Sequence, residues 1–373
     1  MFLLSIQSHK QQTPTDYLLM SVIIMLLIIG LVMVYSSSHI WVDYKYADQL
    51  FFIKRQLIFA SLGIICMLFI MNIPYHFWKK YSKFILLICF ILLIIVKIPG
   101  IGIVRGGAQS WIGVGAFSIQ PSEFMKLGLI IFLSRYLSSN QKYITSLKKG
   151  FLPTIGLVFF AFGLIMLQPD LGTGVVLVLT CCLMIFIAGA RLLHFVGLSI
   201  IGLAGFVFLI VSAPYRIQRI TAFLDPWEDP LGNGFQIIQS LYAIGPGGLM
   251  GIGLGKSLQK YFYLPEPQTD FIFAILGEEL GFIGGVVVIG LFMILFWRGI
   301  KIALEAPDQF GRYMAFGIVA MITIQVMINI SVVIGLIPVT GITLPFLSYG
   351  GSSLTLILCS VGILLNISKF SKI

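Results

Sequence analysis

Ten apolar stretches set the limits on what this chain can become: residues 17–36, 50–72, 82–98, 121–138, 152–168, 171–189, 192–212, 270–297, 311–335 and 345–367. A bilayer core of ~30 Å is crossed by ~20 residues of helix at ~1.5 Å per residue. Inside lipid every backbone amide must find its partner within the protein, which favours helices over open strands. A soluble domain carries about a quarter of its residues as charges; here the charged share is 10% and the hydrophobic share 58%. The expectation is an all-α polytopic membrane protein, a single domain over residues 1–373. It has about ten transmembrane helices and one large extracellular loop, residues 212–269, between helices 7 and 8.

Charge orients these spans. The amino terminus lacks a short apolar region with a small-residue cleavage site, so the first span reads as an uncleaved anchor. With both termini in the cytoplasm, Lys10, Lys79, Lys80, Lys83, Arg135, Lys142, Lys148, Lys149, Arg191, Arg298, Lys301, Arg312, Lys369 and Lys372 fall on the cytoplasmic side, most of the 24 basic residues. The net charge of +10 is therefore a topology signal against anionic membrane lipid, and nucleic acid is not an expected partner. The five cysteines all lie inside spans with no metal-ligand spacing, and the four histidines are scattered over loop ends. Neither a disulfide framework, a metal site nor a catalytic triad is expected from them.

The connections carry the chemistry. Residues 99–120 combine glycines with Arg105 and Trp111 and read as a loop that folds back on itself. In the span that follows, Glu123 and Lys126 stand three apart on one helix face, either as a structural ion pair or as part of a substrate site. Asp170, in Gln168-Pro169-Asp170-Leu171-Gly172, reads as a structural turn. In the long loop, GFQIIQSLYAIG suits a helix lying along the membrane surface. The run GPGGLMGIGLGKS invites a nucleotide-loop reading that fails at Met250, where that motif needs glycine, leaving a flexible external loop as the expectation.

Pro265 and Pro267 forbid regular helix before Thr269, so Asp270 falls where loop becomes membrane helix, with Glu278 and Glu279 further along the same span. The last external turn, PVTGITLPFLSYGGSS, has no charge, and non-helical backbone at that depth must be buried in protein or line a wet cavity. The expected external face thus offers the cations Arg105, Lys126, Arg216 and Arg219, the carboxylates Glu266 and Asp270, and the aromatics Trp111, Trp227 and Tyr349. That set suits an anionic lipid-linked sugar, with Arg and Lys holding a diphosphate and a carboxylate taking a proton from a sugar hydroxyl. A diphosphate leaves without the second carboxylic acid that glycoside hydrolysis requires. The competing role for Asp270 is an N-cap on the eighth span.

The segments WEDPLGNGFQIIQSLYAIGPGGLMGIGLGKSLQKYFYLPEPQTDFIFAILGEELGFIGG and PVTGITLPFLSYGGSS, with GGAQSWI, QPSEFMK and QPDLGT in order before them, resemble the SEDS family (shape, elongation, division and sporulation) over essentially the whole chain. The resemblance implies a ten-helix peptidoglycan glycosyltransferase of the cell membrane that polymerises lipid II on its external face. It also implies a class B penicillin-binding protein as transpeptidase partner, among other division or sporulation proteins. The family's essential external Asp falls on Asp270, its loop tryptophan on Trp111, its paired Glu and Lys on Glu123 and Lys126, and its LPE glutamate on Glu266. Where many members have a basic pair before the tryptophan, this chain has Gln109-Ser110. No resident cofactor is implied, and assistance by a divalent cation, Mg or Mn, stays open. So does a reading as lipid II flippase or non-catalytic division scaffold.

Overall fold

A computed structural model describes residues 14–371, apart from 47, 106–107, 115–116, 233 and 262; Lys10 and Lys372 lie outside the described residues. Its helices are α1 (Tyr17–Tyr46), α2 (Phe51–Ile70), α3 (His76–Ile95), α4 (Pro121–Ser139), α5 (Leu152–Met166), α6 (Leu171–Ile187), α7 (Leu192–Val211), α8 (Pro214–Leu224), α9 (Phe235–Ile244), α10 (Ile272–Glu305), α11 (Gln309–Val333) and α12 (Gly351–Ser368). Each of the ten apolar stretches lies on a helix, and α8 and α9 belong to the long loop between them. By length and composition, six helices among the described residues can cross a membrane. The shorter α6 and the first part of α7 are apolar as well.

Helical structure is not the whole of it. The glycine-rich connection after α3 folds back as a three-stranded antiparallel sheet, β1 (Gly102–Arg105), β2 (Ala108–Val114) and β3 (Phe117–Ile119), in the order β1-β2-β3. Ile103 lies opposite Trp111 and Ile112 opposite Ile119. An all-α description is corrected by this sheet, whose cross-strand bonds satisfy backbone groups that no helix takes up.

Unlike a water-soluble bundle, this one is apolar outside as well as inside. In their most apolar windows α11 and α12 are 67% and 72% buried, whereas α2 and α10 are only 22% buried and turn rows of Leu, Ile, Val and Phe outward. The centre is α11 with α12 and α4, and the outer helices present the lipid-facing coat expected of a membrane protein.

The most consequential departure from the sequence reading is in α10, which starts at Ile272 and is broken at Gly281, where φ is 65° and ψ is −163°. The amides freed by the break find partners in the loop before it. Phe282 N and Ile283 N donate to the carbonyls of Gly248 (2.9 Å) and Leu249 (3.1 Å), while Ile252 N and Gly253 N donate to those of Glu278 (3.0 Å) and Glu279 (3.1 Å). Close approach at the splice leaves no room for a Cβ on Gly251 or Gly281, each of which would collide with the other segment's backbone. The run GPGGLMGIGLGKS is therefore not a flexible external loop. It completes the hydrogen bonding of a broken helix.

Side chains lock the splice. Glu278 accepts from Ser257 Oγ and Leu258 N (2.8 Å), and Glu279 accepts from Ser257 N (3.2 Å), Ser36 Oγ of α1 and Lys260 Nζ (3.1 Å). Lys260 and Glu279 are fully buried. The two carboxylates that looked costly in a membrane helix are thus supplied with donors from the loop.

Candidate functional site

The chain from Gln268 to Asp270 is fixed through its backbone. Tyr349 N donates to the carbonyl of Gln268 (2.8 Å), Ser348 Oγ to that of Thr269 (2.6 Å), and Asn329 Nδ2 of α11 to that of Asp270 (2.7 Å). The same Asn329 amide reaches the Ile342 carbonyl (2.8 Å), Ser348 Oγ accepts from Leu344 N (2.8 Å), and Gln56 Nε2 of α2 donates to the Ser348 carbonyl (3.1 Å). The Leu344–Ser348 part of the uncharged turn PVTGITLPFLSYGGSS is thus buried in protein, and the turn forms part of the clamp that holds Asp270.

The carboxylate itself is left out of this bonding. The cap position of α10 falls on Phe271 with no side-chain cap, and among the described residues no hydrogen bond reaches the Asp270 carboxylate. The N-cap reading is thereby excluded. Burial raises the Asp270 carboxyl most, the Glu266 charge raises it further and Arg219 opposes both, leaving it pushed up to about 6. Glu266 sits in the left-handed region, φ 47°, between two prolines, and its carbonyl accepts from both Thr269 N (3.0 Å) and Thr269 Oγ1 (2.9 Å). That turn brings two carboxylates together at one end of the helices.

Arg219, on exposed turns of α8, donates from Nη1 to the Val339 carbonyl (3.0 Å), tying the long loop to the last turn. Beside it a cavity of about 300 Å³ is lined by Arg219, Phe235, Gln236, Ile237, Pro265 and Val339. Arg216 precedes Arg219 by three residues and so shares its helix face.

A continuous line of contacts runs from Asp270 to α4. Asn329 joins the Asp270 and Ile342 carbonyls, and Gly172 packs on the Thr340 carbonyl and Ile342. Asp170 N-caps α6 by accepting from Thr173 N (3.1 Å) and also accepts from Gln120 Nε2 (2.8 Å) and Ser122 Oγ (3.1 Å). More than a turn residue, it clasps α4 to α6. Next along α4, Glu123 and Lys126 pair at 2.8 Å, both nearly inaccessible. Trp111 stands on β2 in the sheet, which packs on α4 and α12. Arg105 ends β1, and its side chain lies outside the described residues. Trp227 meets Tyr242 edge-on in the long loop (5.9 Å), and Tyr349 packs on Phe52 (4.6 Å).

Sequence reasoning did not single out Asn329, Ser348, Gln268 or Lys260. An amide in the middle of an apolar span is a readable signal for the first, since an unpaired amide there is costly. Among the described residues no three or more His, Cys, Asp or Glu side chains converge as a metal-binding group.

Helices that enclose an apolar core and turn further apolar side chains outward define a multi-pass membrane protein, and the carboxylate clamped at one end of them is its candidate site. The chain belongs to the FtsW/RodA/SpoVE family: that family's model, described as a cell cycle protein, matches residues 16–373. It is 66% identical to stage V sporulation protein E of Bacillus subtilis (strain 168), over 97% of this chain and 99% of that protein. It is 46% identical to a probable peptidoglycan glycosyltransferase FtsW of Trichlorobacter lovleyi, over 96% and 94%. Among solved structures, one chain of a peptidoglycan synthase complex that coordinates polymerization and crosslinking superposes with a TM-score of 0.77 at 30% identity, covering 95% of this chain and 97% of that one. The rod shape determining protein RodA of Thermus thermophilus superposes with a TM-score of 0.71 at 26% identity, over 96% and 98%.

Proposed function

We propose that this chain is a peptidoglycan glycosyltransferase that polymerises lipid II into glycan strands during cell division or sporulation. The observation that carries the assignment is Asp270: a carboxylate held rigidly through its own carbonyl, free of capping, and raised to about 6 by its surroundings. A general base for a sugar hydroxyl needs that combination of fixed position, vacant oxygens and elevated basicity. The family membership and the relatives named as probable peptidoglycan glycosyltransferases support the reaction class.

In the proposed reaction Asp270 takes the proton of the 4-hydroxyl of the acceptor sugar as that oxygen attacks the anomeric carbon of the donor. The bond from that carbon to the diphosphate oxygen breaks with inversion, and the electron pair leaves with undecaprenyl diphosphate. Arg216, Arg219, Arg105 and Lys126 supply positive charge for the diphosphate. Glu123 holds Lys126 in place, Glu266 tunes Asp270, and Trp111 offers a ring to a sugar face. All ten apolar helices cross the membrane in this reading, with both termini cytoplasmic and residues 212–269 and the site outside. A class B penicillin-binding protein is the transpeptidase partner, alongside other division or sporulation proteins.

Asp270→Asn tests the assignment. It preserves shape and removes the base, so purified protein with its partner should fold, bind the partner and lose ~10²–10⁴ of its rate on lipid II. Near-normal polymerisation by the variant would take Asp270 out of the mechanism and return the flippase or scaffold reading to the front.

A further inference from the structure

The spliced loop has two unlike sides. Inward it presents Ser257 and Lys260 to the buried glutamates. Outward it exposes Leu249 (69%), Met250 (78%), Leu254 (55%) and Leu258 (64%), with the exposed Lys256 between the last two. Large apolar side chains exposed together on one loop would be an aggregation hazard in water, and they ask for an apolar neighbour.

Two polar contacts between α1 and α10 fix the depth of those side chains. At one end of the pair Asp16 holds Arg298 (2.8 Å), and at the other Ser36 donates to Glu279. The contacts stand about five turns apart, roughly 28 Å at ~1.5 Å per residue, which matches the ~30 Å of bilayer hydrocarbon. Glu279 therefore marks one hydrocarbon boundary. Leu249 is bonded through its carbonyl to Ile283 N, one turn beyond Glu279 towards the bilayer centre. The exposed side chains also run directly into the outward face of α10, where Phe282 and Ile283 are exposed in the same way.

From this geometry we infer that residues 248–258 form a re-entrant loop whose Leu249 and Met250 side chains are immersed among the acyl chains of the leaflet nearest Asp270, with Leu254 and Lys256 at its boundary, level with Glu279. The inference needs only that α10 spans the membrane, and it stands independently of the proposed transferase chemistry. The loop's polar side closes the helix break, so its apolar side acts as a lipid anchor at the base of the segment leading through Lys260 to Glu266 and Asp270.

Acyl-chain photolabelling of the full-length protein decides it. Nanodiscs of phosphatidylglycerol containing a small fraction of phospholipid with a diazirine on its acyl chain are irradiated, and adducts are mapped by peptide mass spectrometry. Met293 on α10 and Leu231 in the loop, both well exposed, serve as lipid-facing and water-facing references. Labelling of Leu249 and Met250 within about threefold of Met293 and at least about tenfold above Leu231 is expected for immersed side chains. A segment labelled no more than Leu231, while Met293 reacts strongly, overturns the inference. So does the same experiment in native membranes if labelling of 248–258 vanishes while that of Met293 persists, because a protein then covers this face.

Discussion

Asp270 shows how much of a site can be fixed by backbone alone. The two prolines before it made its position at the loop-to-helix junction legible, and its family correspondence followed from the surrounding motif. The fixing of that position was not legible, because the Asn329 and Ser348 bonds that hold it are contributed by chain some sixty to eighty residues further on. The raised pKa fixes the direction of two experiments. The base works when ionised, so the acid limb of the polymerisation pH profile should lie near 6 in wild type. Glu266→Gln removes a repelling negative charge and should move that limb to lower pH, whereas Arg219→Gln removes an attracting positive charge and should move it higher. Rate profiles that shift together, or not at all, would break the electrostatic account. Stability follows the same shift. Between the ordinary value of 3.8 and about 6 the folded chain keeps a proton that the unfolded chain has lost, so stability falls as pH rises through that window and the deficit persists above it. At pH 7.5 Asp270→Asn should therefore melt no lower than wild type, and above it if the buried charge is the dominant strain.

Two buried ion pairs organise the elements, and only one was readable. Glu123 and Lys126 are three apart on α4, a spacing that puts both on one face of any helix. Lys260 and Glu279 belong to different elements, and their meeting depends on the break at Gly281, which nothing in the apolar run of α10 announces. The same break explains why the segment around Met250 was mistaken for mobile loop: its glycines serve backbone-to-backbone contact. Removing one partner of a buried pair leaves the other charge uncompensated, at ~3–5 kcal/mol. Lys260→Met should accordingly lower the yield and melting temperature of the folded protein, and the double variant Lys260→Met, Glu279→Gln should recover part of the loss because no bare charge remains. Purely additive losses would mean that the pair does not interact. Glu123→Gln and Lys126→Met separate strut from site: a structural pair predicts loss of folded protein from each. Unchanged abundance and melting with polymerisation abolished would assign the pair to substrate.

At the scale of the whole molecule, the apolar pattern gave every long helix, while the sheet after α3 escaped it because short glycine-rich strands carry no periodic signal. Charge sets the expected membrane orientation, and the folded chain gathers basic residues in the way that expectation requires. At one end of the bundle basic residues tie distant parts of the chain together: Arg135 reaches the Lys79 carbonyl (3.1 Å), Lys369 reaches Asn72 (2.9 Å), and Arg298 is bridged to Asp16, whose own amide donates to Ser368 (3.3 Å). In the proposed orientation the face on which Lys and Arg collect from α3, α4, α10 and the end of α12 is the cytoplasmic one, by the positive-inside bias. Asp270 lies at the opposite ends of these helices, where Asn329 closes α11 and the last turn enters α12. This arrangement predicts that Leu231→Cys, in the exposed part of the long loop, reacts with an impermeant thiol reagent in intact cells, and that Lys142→Cys reacts only after lysis. The native cysteines sit on apolar helices and should stay silent in both conditions. Labelling of the two positions in the reverse order would put the loop and Asp270 on the cytoplasmic side, where a polymerase building the external wall has no use for them.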